Sequence, residues 1–164
     1  MSDDFYLHED EWGMIELLPR DVDRAVDVGA GSGRLTTHLA QRSRHTLAVE
    51  PSSGLRRMLR HRLPGVGLVA GWADRLPLRD GFSDLTAACG AVGPDPAILA
   101  ELRRVTAAAG TIALISPEHP EWFEARGWQR TSLPPAPAPP HPDWLDEFFG
   151  PLDPPHEMVT MRAY

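Results

Sequence analysis

Apolar residues in this chain fall into short blocks, some at helical spacing and some continuous. Across residues 8–18 (HEDEWGMIELL), Trp12 and Ile15 recur at roughly helical spacing and Pro19 ends the run, which predicts a first helix. Residues 24–28 form a short apolar strand that runs straight into glycine. Residues 33–41 then predict a helix with Leu35, Leu39 and Ala40 on its inner face. A second strand covers 45–49. Pro51-Ser52-Ser53 opens another helix, capped by Ser52 or Ser53, with Leu55, Met58 and Leu59 as its apolar stripe. A third strand at 66–70, a turn at 77–81 and a fourth strand at 82–89 follow. Asp95-Pro96 has the chemistry of an N-cap and first helical residue, and Ile98, Leu99, Leu102 and Val105 give that helix an inner face up to Thr106. Gly110 turns the chain into a fifth strand at 111–116.

Strands that alternate with helices predict a mostly parallel sheet covered by helices. The strands are apolar without alternation, as expected when both faces are buried. Beyond Pro117 the pattern weakens. A short helix at 118–125, a strand at 127–133 and a closing strand at 156–164 are the expected elements. Between them, residues 134–155 hold nine of the seventeen prolines. Proline cannot donate to a ladder, so a loop is predicted, with room for one helical turn at 143–149. The whole chain, 1–164, reads as a single α/β domain, with residues 1–20 as an N-terminal helix or lid.

Composition narrows the function classes. The net charge is −7, which argues against a nucleic-acid partner. No apolar run approaches the roughly 20 residues of a membrane-spanning helix, and the acidic start MSDDFYLHEDEWG lacks a signal pattern, so a cytoplasmic protein is expected. Cys89 is the one cysteine, which excludes an intrachain disulfide and a multi-cysteine zinc site. His141 and His156 have no second ligand at a useful spacing, and no metal is expected. All sixteen basic residues are Arg, which removes lysine chemistry.

The segment Val26-Asp27-Val28-Gly29-Ala30-Gly31-Ser32-Gly33-Arg34-Leu35 carries the most chemistry. A buried strand ends where glycines let the backbone turn sharply and approach a ligand. The next helix presents its free N–H groups at the same spot. Dinucleotide sites prefer G-x-G-x-x-G, and that register would put Arg34 at the third glycine. The spacing here is G-x-G-x-G, which disfavours a nicotinamide dehydrogenase. Glu50 ends the second strand, about 20 residues on, where an acid accepts ribose hydroxyls.

With these residues in view, the chain resembles a class I S-adenosylmethionine-dependent methyltransferase over residues 22–117. VDVGAGSGRLT resembles the family's first motif, AVEPSSGLRRML its second strand, acid and helix, GWADRLPLRDGFSDL the third-strand exit and fourth-strand entry, and ILAELRRVTAAAGTIALISP the helix, glycine turn and fifth strand. The resemblance implies a Rossmann-like, doubly wound sheet of seven strands in the order 3-2-1-4-5-7-6, the last antiparallel, with helices on both faces. It implies S-adenosyl-L-methionine as cofactor. Asp27, Gly29, Ala30, Gly31 and Gly33 would surround its methionine part, Glu50 and Pro51 its ribose, Trp72, Ala73 and Asp74 its adenine, and Cys89 and Gly90 the sulfonium side.

The donor is already activated, so alignment of nucleophile and methyl is the protein's main task. Where many small-molecule members carry a polar residue after the fourth strand, this chain has Gly90-Ala91-Val92-Gly93, so no catalytic side chain is assigned. Substrate-side candidates are Tyr6, His8, Glu9 and Trp12, which suit a lid or a helix packed on the sheet equally, together with His119 after the fifth strand and Trp144 and Phe149 in the proline-rich loop. Arg56, Arg57, Arg60 and Arg62 are expected to form a solvated helix face. The expected function is methyl transfer to a small-molecule acceptor. The alternative is a cofactor-fold protein without transfer activity, acting as a regulatory or partner-binding module.

Overall fold

The computed structural model describes residues 9–133 and 156–163, and for residues 9–12 and 156 the backbone alone. One sheet holds β1 (Val22–Val28), β2 (Ser43–Val49), β3 (Gly67–Val69), β4 (Ser83–Cys89), β5 (Thr106–Ile115), β6 (Gln129–Leu133) and β7 (His156–Arg162). The order across it is β3-β2-β1-β4-β5-β7-β6. The first five strands pair in parallel, and β7 runs antiparallel to both β5 and β6. The expected topology is the one present. Around it lie α1 (Glu9–Glu16), α2 (Arg34–Ala40), α3 (Ser53–Arg62), α4 (Pro96–Val105) and α5 (Pro120–Glu124).

Strand alternation divides the core. Ala25 of β1, Leu85 and Ala87 of β4, and Ala113 and Ile115 of β5 face α1 and α2, where Met14, Ile15, Leu35 and Leu39 pack. Val26 and Val28, Ala88, and Ile112 and Leu114 face the other way, onto Leu99, Leu102 and Val105 of α4 and Phe123 of α5. Both faces are apolar because both are covered.

Three details differ from the sequence expectations. In α3 only Leu59 is buried, while Leu55 and Met58 are exposed, because one turn of this helix sits against Ala30 and Ala48 rather than a full stripe. In α2 Ala40 is exposed, and Thr36 and His38 are buried beside Leu35 and Leu39. The fifth strand starts at Thr106, directly after α4. Its register against β4 jumps from Ser83↔Thr106 to Leu85↔Thr111, so the expected turn survives as a bulge. Gly110 is required there: a Cβ would lie 2.8 Å from the Ala107 carbonyl oxygen.

The sheet brings distant segments to one edge. Because β6 runs parallel to β5, Leu133 and its partner His156 sit at the same C-terminal edge as the glycine turn. Residues 134–155, with the expected helical turn at 143–149, lie outside the described residues. Gly13 of α1 also reaches this edge, since a Cβ on it would be 2.8 Å from Leu133 Cδ1. At its other end α1 is held by Glu16, which accepts from the buried Arg42 at 3.0 Å.

Candidate active site

The glycine turn is built from backbone. Gly29 N and Ala30 N both donate to the Val49 carbonyl, at 2.9 and 3.1 Å, which pins the exit of β1 to the end of β2. Gly29, Gly31 and Gly33 all have positive φ, a region L side chains enter at a cost. They differ in what surrounds them. A Cβ on Gly29 would meet Ala91 Cβ at 2.6 Å, and one on Gly33 would meet Leu59 and Leu63 of the α3 region at 3.1 and 3.3 Å. These two glycines serve packing. A Cβ on Gly31 or Gly90 would meet nothing within 4 Å. Those two face open space at the ends of β1 and β4, the topological switch point of the sheet.

Two carboxylates stand near the turn. Asp27 points to the α2 face and is fully buried, with its Oδ2 accepting from Thr36 Oγ1 at 2.6 Å. Burial pushes its carboxyl up to about 7, the Thr36 hydrogen bond works the other way, and the Glu50 charge adds to the rise. Glu50, 5% exposed at the end of β2, accepts from Gly31 N through Oε2 and from Ser52 N through Oε1, each at 2.8 Å. Each carboxylate oxygen has a second lone pair beyond these bonds. Glu50 therefore ties the glycine turn to α3 and keeps capacity for two more donors.

The expected adenine residues follow β3. Trp72 forms a bridge with Arg75 and is 68% exposed, the most exposed large apolar side chain among the described residues. Ala73 is half-buried against the core, and Asp74 is exposed. The turn behind them is latched to α4. Glu101 accepts from Leu76 N at 2.7 Å, and Arg104 donates to the carbonyls of Leu76 and Leu78. Cys89 and Gly90 end β4, where Gly90 N donates to the Ile115 carbonyl at 2.9 Å. Pro51, next to Glu50, is half-buried, and its carbonyl accepts from Arg56.

Of the substrate-side candidates, His119 lies on the expected edge but is exposed, with Nδ1 3.0 Å from Glu121 Oε1 at the start of α5. Tyr6, His8, Trp144 and Phe149, and the side chains of Glu9 and Trp12, lie outside the described residues. The arginines of α3 are not simply solvated. Arg56 Nη1 donates to the Glu50 and Pro51 carbonyls at 2.7 Å, and Arg62 Nη1 to Ser32 O at 3.1 Å, so two of the four clamp the glycine turn and the acid beside it.

Sequence reasoning missed two residues. Thr36, in the first turn of α2, donates to Asp27 of β1, and no single-sequence spacing marks it. Ser116, just past β5, has φ 48 and a buried hydroxyl without a hydrogen-bond partner. A serine before proline at a strand end was the available signal. A groove of about 680 Å³ lies elsewhere, at the N-terminal ends of the strands between Arg24, Thr46, Leu63 and Phe82. Among the described residues no cluster of metal-binding side chains occurs, and no helix is long and apolar enough to cross a membrane.

Comparison with known proteins agrees with this fold. A family model described as a methyltransferase domain matches residues 26–114, more than half of the chain. An uncharacterised methyltransferase of Mycobacterium tuberculosis is 36% identical over 102 residues, covering 60% of this chain and 42% of that protein. A demethylmenaquinone methyltransferase of Beutenbergia cavernae is 33% identical over 111 residues, covering 65% of this chain and 46% of that protein. The chain thus spans less than half the length of these relatives. An S-adenosylmethionine-dependent methyltransferase of Thermotoga maritima superposes with a TM-score of 0.70 at 18% identity, over 97% of this chain and 89% of that one. The chain belongs to the methyltransferase-domain family, and its sheet is that of the class I S-adenosylmethionine-dependent methyltransferases.

Proposed function

We propose that this protein binds S-adenosylmethionine across the C-terminal ends of β1, β2 and β4 and transfers its methyl group to a small-molecule acceptor. The observation that carries the proposal is the open space beside Gly31, flanked by the Glu50 carboxylate. A left-handed glycine with nothing where its Cβ would stand is a cradle that a side chain would fill. When bound, S-adenosylmethionine supplies an electrophilic methyl on a sulfonium, displaced by the acceptor's electron pair with S-adenosylhomocysteine as leaving group.

The chain's residues then have distinct tasks. Glu50 accepts both ribose hydroxyls through the lone pairs its backbone bonds leave over. Asp27, in its ionised form, balances the charge of the methionine ammonium. Trp72 offers a ring face to the adenine, with Ala73 and Asp74 at its edge. Gly29, Ala30 and Gly33 shape the turn, while Pro51, Cys89 and Gly90 line its flanks. The stretch from Gly90 to Gly93 supplies shape rather than a base, so catalysis rests on alignment. A small acceptor is supported by the net charge of −7, which disfavours nucleic acid, and by the name of the Beutenbergia relative, which specifies demethylmenaquinone.

Titration calorimetry tests the proposal. S-adenosylmethionine and S-adenosylhomocysteine should both bind, and NAD should not. Absence of binding by either sulfur nucleoside at millimolar concentration refutes the cofactor assignment.

A further inference from the structure

The groove at the N-terminal ends of the strands arises from a mismatch of strand lengths. β2 begins at Ser43, but β3 pairs with it only at Leu47, Ala48 and Val49. Among the described residues, 43–46 therefore have no strand beside them on that side. The opposite wall is the connection from α3 to β3. α3 stops at Arg62, and Leu63 leaves helical backbone at φ −131 ahead of Pro64. The space enclosed, about 680 Å³, lies within the roughly 300–1,000 Å³ of small-molecule sites. It stands at the opposite edge of the sheet from the glycine turn.

The lining combines two chemistries. Leu47, Val66 and Phe82 make it apolar, Arg24, Arg44 and Arg62 make it cationic, and no Asp or Glu lines it. The two walls adjoin, since the Arg24 guanidinium lies 5.4 Å from the centre of the Phe82 ring. Asp23 is the acid that answers these cations, with Arg24 Nε 3.5 Å and Arg44 Nε 3.9 Å from its oxygens. Both distances exceed the roughly 2.7–2.9 Å of a charge-assisted hydrogen bond, so one carboxylate is shared loosely between two guanidinium groups. Asp84 is spent on backbone, its Oδ2 accepting from Arg24 N at 2.9 Å. A carboxylate or phosphate carried by a ligand is the partner this guanidinium pair lacks.

Two residues of the lining also reach the glycine turn. Arg62 Nη1 donates to Ser32 O at 3.1 Å and lies 3.3 Å from Ser32 Oγ. Leu63 Cδ1 stands 3.3 Å from where a Cβ on Gly33 would be. An anion in the groove that attracts the Arg62 guanidinium takes it from Ser32, the residue between Gly31 and Gly33.

We propose that this groove is a second ligand site for a small organic anion, a carboxylate or phosphate monoester on an apolar body, and that its occupancy weakens cofactor binding by drawing Arg62 away from the glycine turn. The ligand site stands on the groove's own residues. Its coupling rests on the cofactor placement proposed above.

The test uses the full chain with phenyl phosphate and benzoate, which separate the two anion types. Inorganic phosphate and benzyl alcohol carry the charge and the ring alone. Binding is read by calorimetry and by the amide signals of Gly65, Val66 and Gly67 in nitrogen-labelled protein. At least one ring-bearing anion should bind and move those signals, with both partial probes weaker by about tenfold or more. Arg44→Glu, at a side chain 79% exposed, should weaken that binding by about tenfold or more. Arg57→Glu makes the same charge change on α3 outside the groove and should leave it within about twofold. Saturating probe should weaken S-adenosylhomocysteine binding by about fivefold or more and then level off, because coupling between separate sites is finite and reciprocal. Binding of neither anion, signal changes confined to the glycine turn, or an Arg44→Glu variant that binds like wild type or loses no more than Arg57→Glu overturns the ligand site. A loss of S-adenosylhomocysteine affinity that never levels off makes the two ligands rivals for one site, and an unchanged affinity removes the coupling; either overturns the proposal. If S-adenosylhomocysteine does not bind the wild type while the probe still moves the groove signals, the ligand site is upheld and the cofactor assignment has failed.

Discussion

The two halves of the sheet's C-terminal edge are built by different means. Around β1, β2 and β4 the site is made of backbone: turn amides pinned to Val49, two glycines facing open space, and one acid whose carboxylate bonds two further amides. Around β5, β6 and β7 the edge brings together segments distant in sequence, which meet because β7 folds back antiparallel. The first half requires conformations that only particular residues adopt, so it writes a pattern into the sequence. The second requires a shape that many residues can supply, so it writes almost none. A ligand common to a whole family is held by the first kind of structure, and a ligand that varies between members by the second.

The contrast can be broken by substitution, starting with the largest effect. Gly29→Ala should damage the fold itself, since its Cβ would lie 2.6 Å from Ala91 Cβ at a left-handed position. Overpacking and backbone strain together predict a loss of roughly 2–5 kcal/mol in chemical denaturation. A stability close to wild type would show that the turn is not packing-limited.

Asp27→Asn comes next. The folded-state pKa of Asp27 lies above its ordinary value of 3.8, at about 7. The folded chain therefore keeps a proton that the unfolded chain releases, and this group's contribution to stability falls as pH rises from about 4 to about 7. The ceiling on that penalty is roughly 4 kcal/mol. Asp27→Asn should raise the melting temperature of the ligand-free protein at pH 8 and lose that advantage near pH 4. An equal effect at both pH values would mean that the carboxyl is not held protonated. By the same linkage, cofactor affinity of the wild type should rise between pH 6 and pH 7.5 as Asp27 ionises.

Gly31→Ala should be milder for the fold and specific to the ligand. Backbone strain predicts about 1–2 kcal/mol of stability. Because the new methyl fills the open space, S-adenosylhomocysteine should bind at least tenfold more weakly in calorimetry. Unchanged affinity would place the cofactor elsewhere. Smallest of all, His119→Ala should leave methyl transfer within twofold, since this exposed ring is engaged with Glu121 outside the glycine turn. A loss of tenfold or more would move the acceptor site to the start of α5.

The same contrast explains what was legible beforehand. The four motifs mark strand ends only within residues 22–117, so the order of all seven strands and the antiparallel β7 came from the family resemblance they carry, not from any pattern at β6 or β7. The Asp95 cap with Pro96 was legible because capping is local: Asp95 Oδ1 accepts from Ala97 N at 2.8 Å. The apolar stripe of α3 was over-read, since periodicity cannot say that Leu55 and Met58 face solvent while Leu59 alone is covered. The reasons behind each glycine were also hidden. Gly29 and Gly33 look the same as Gly31 in sequence, yet neighbours from β4's exit and α3 decide that they serve packing. The left-handed backbone of Ser116 was hidden because the Glu157 carbonyl that accepts from its amide lies some 40 residues on, and serine before proline at a strand end was the one local signal.

Glu50 joins the turn, the second strand and the expected ribose, so it tests the central claim most directly. S-adenosylhomocysteine should be titrated into wild type and Glu50→Ala at pH 7.5, with melting curves recorded for both. Loss of two charge-assisted hydrogen bonds predicts a penalty of roughly 2–4 kcal/mol in binding, about 30-fold or more, in a protein that still melts cooperatively. Equal affinity in the two folded proteins would contradict the placement of the cofactor at this turn.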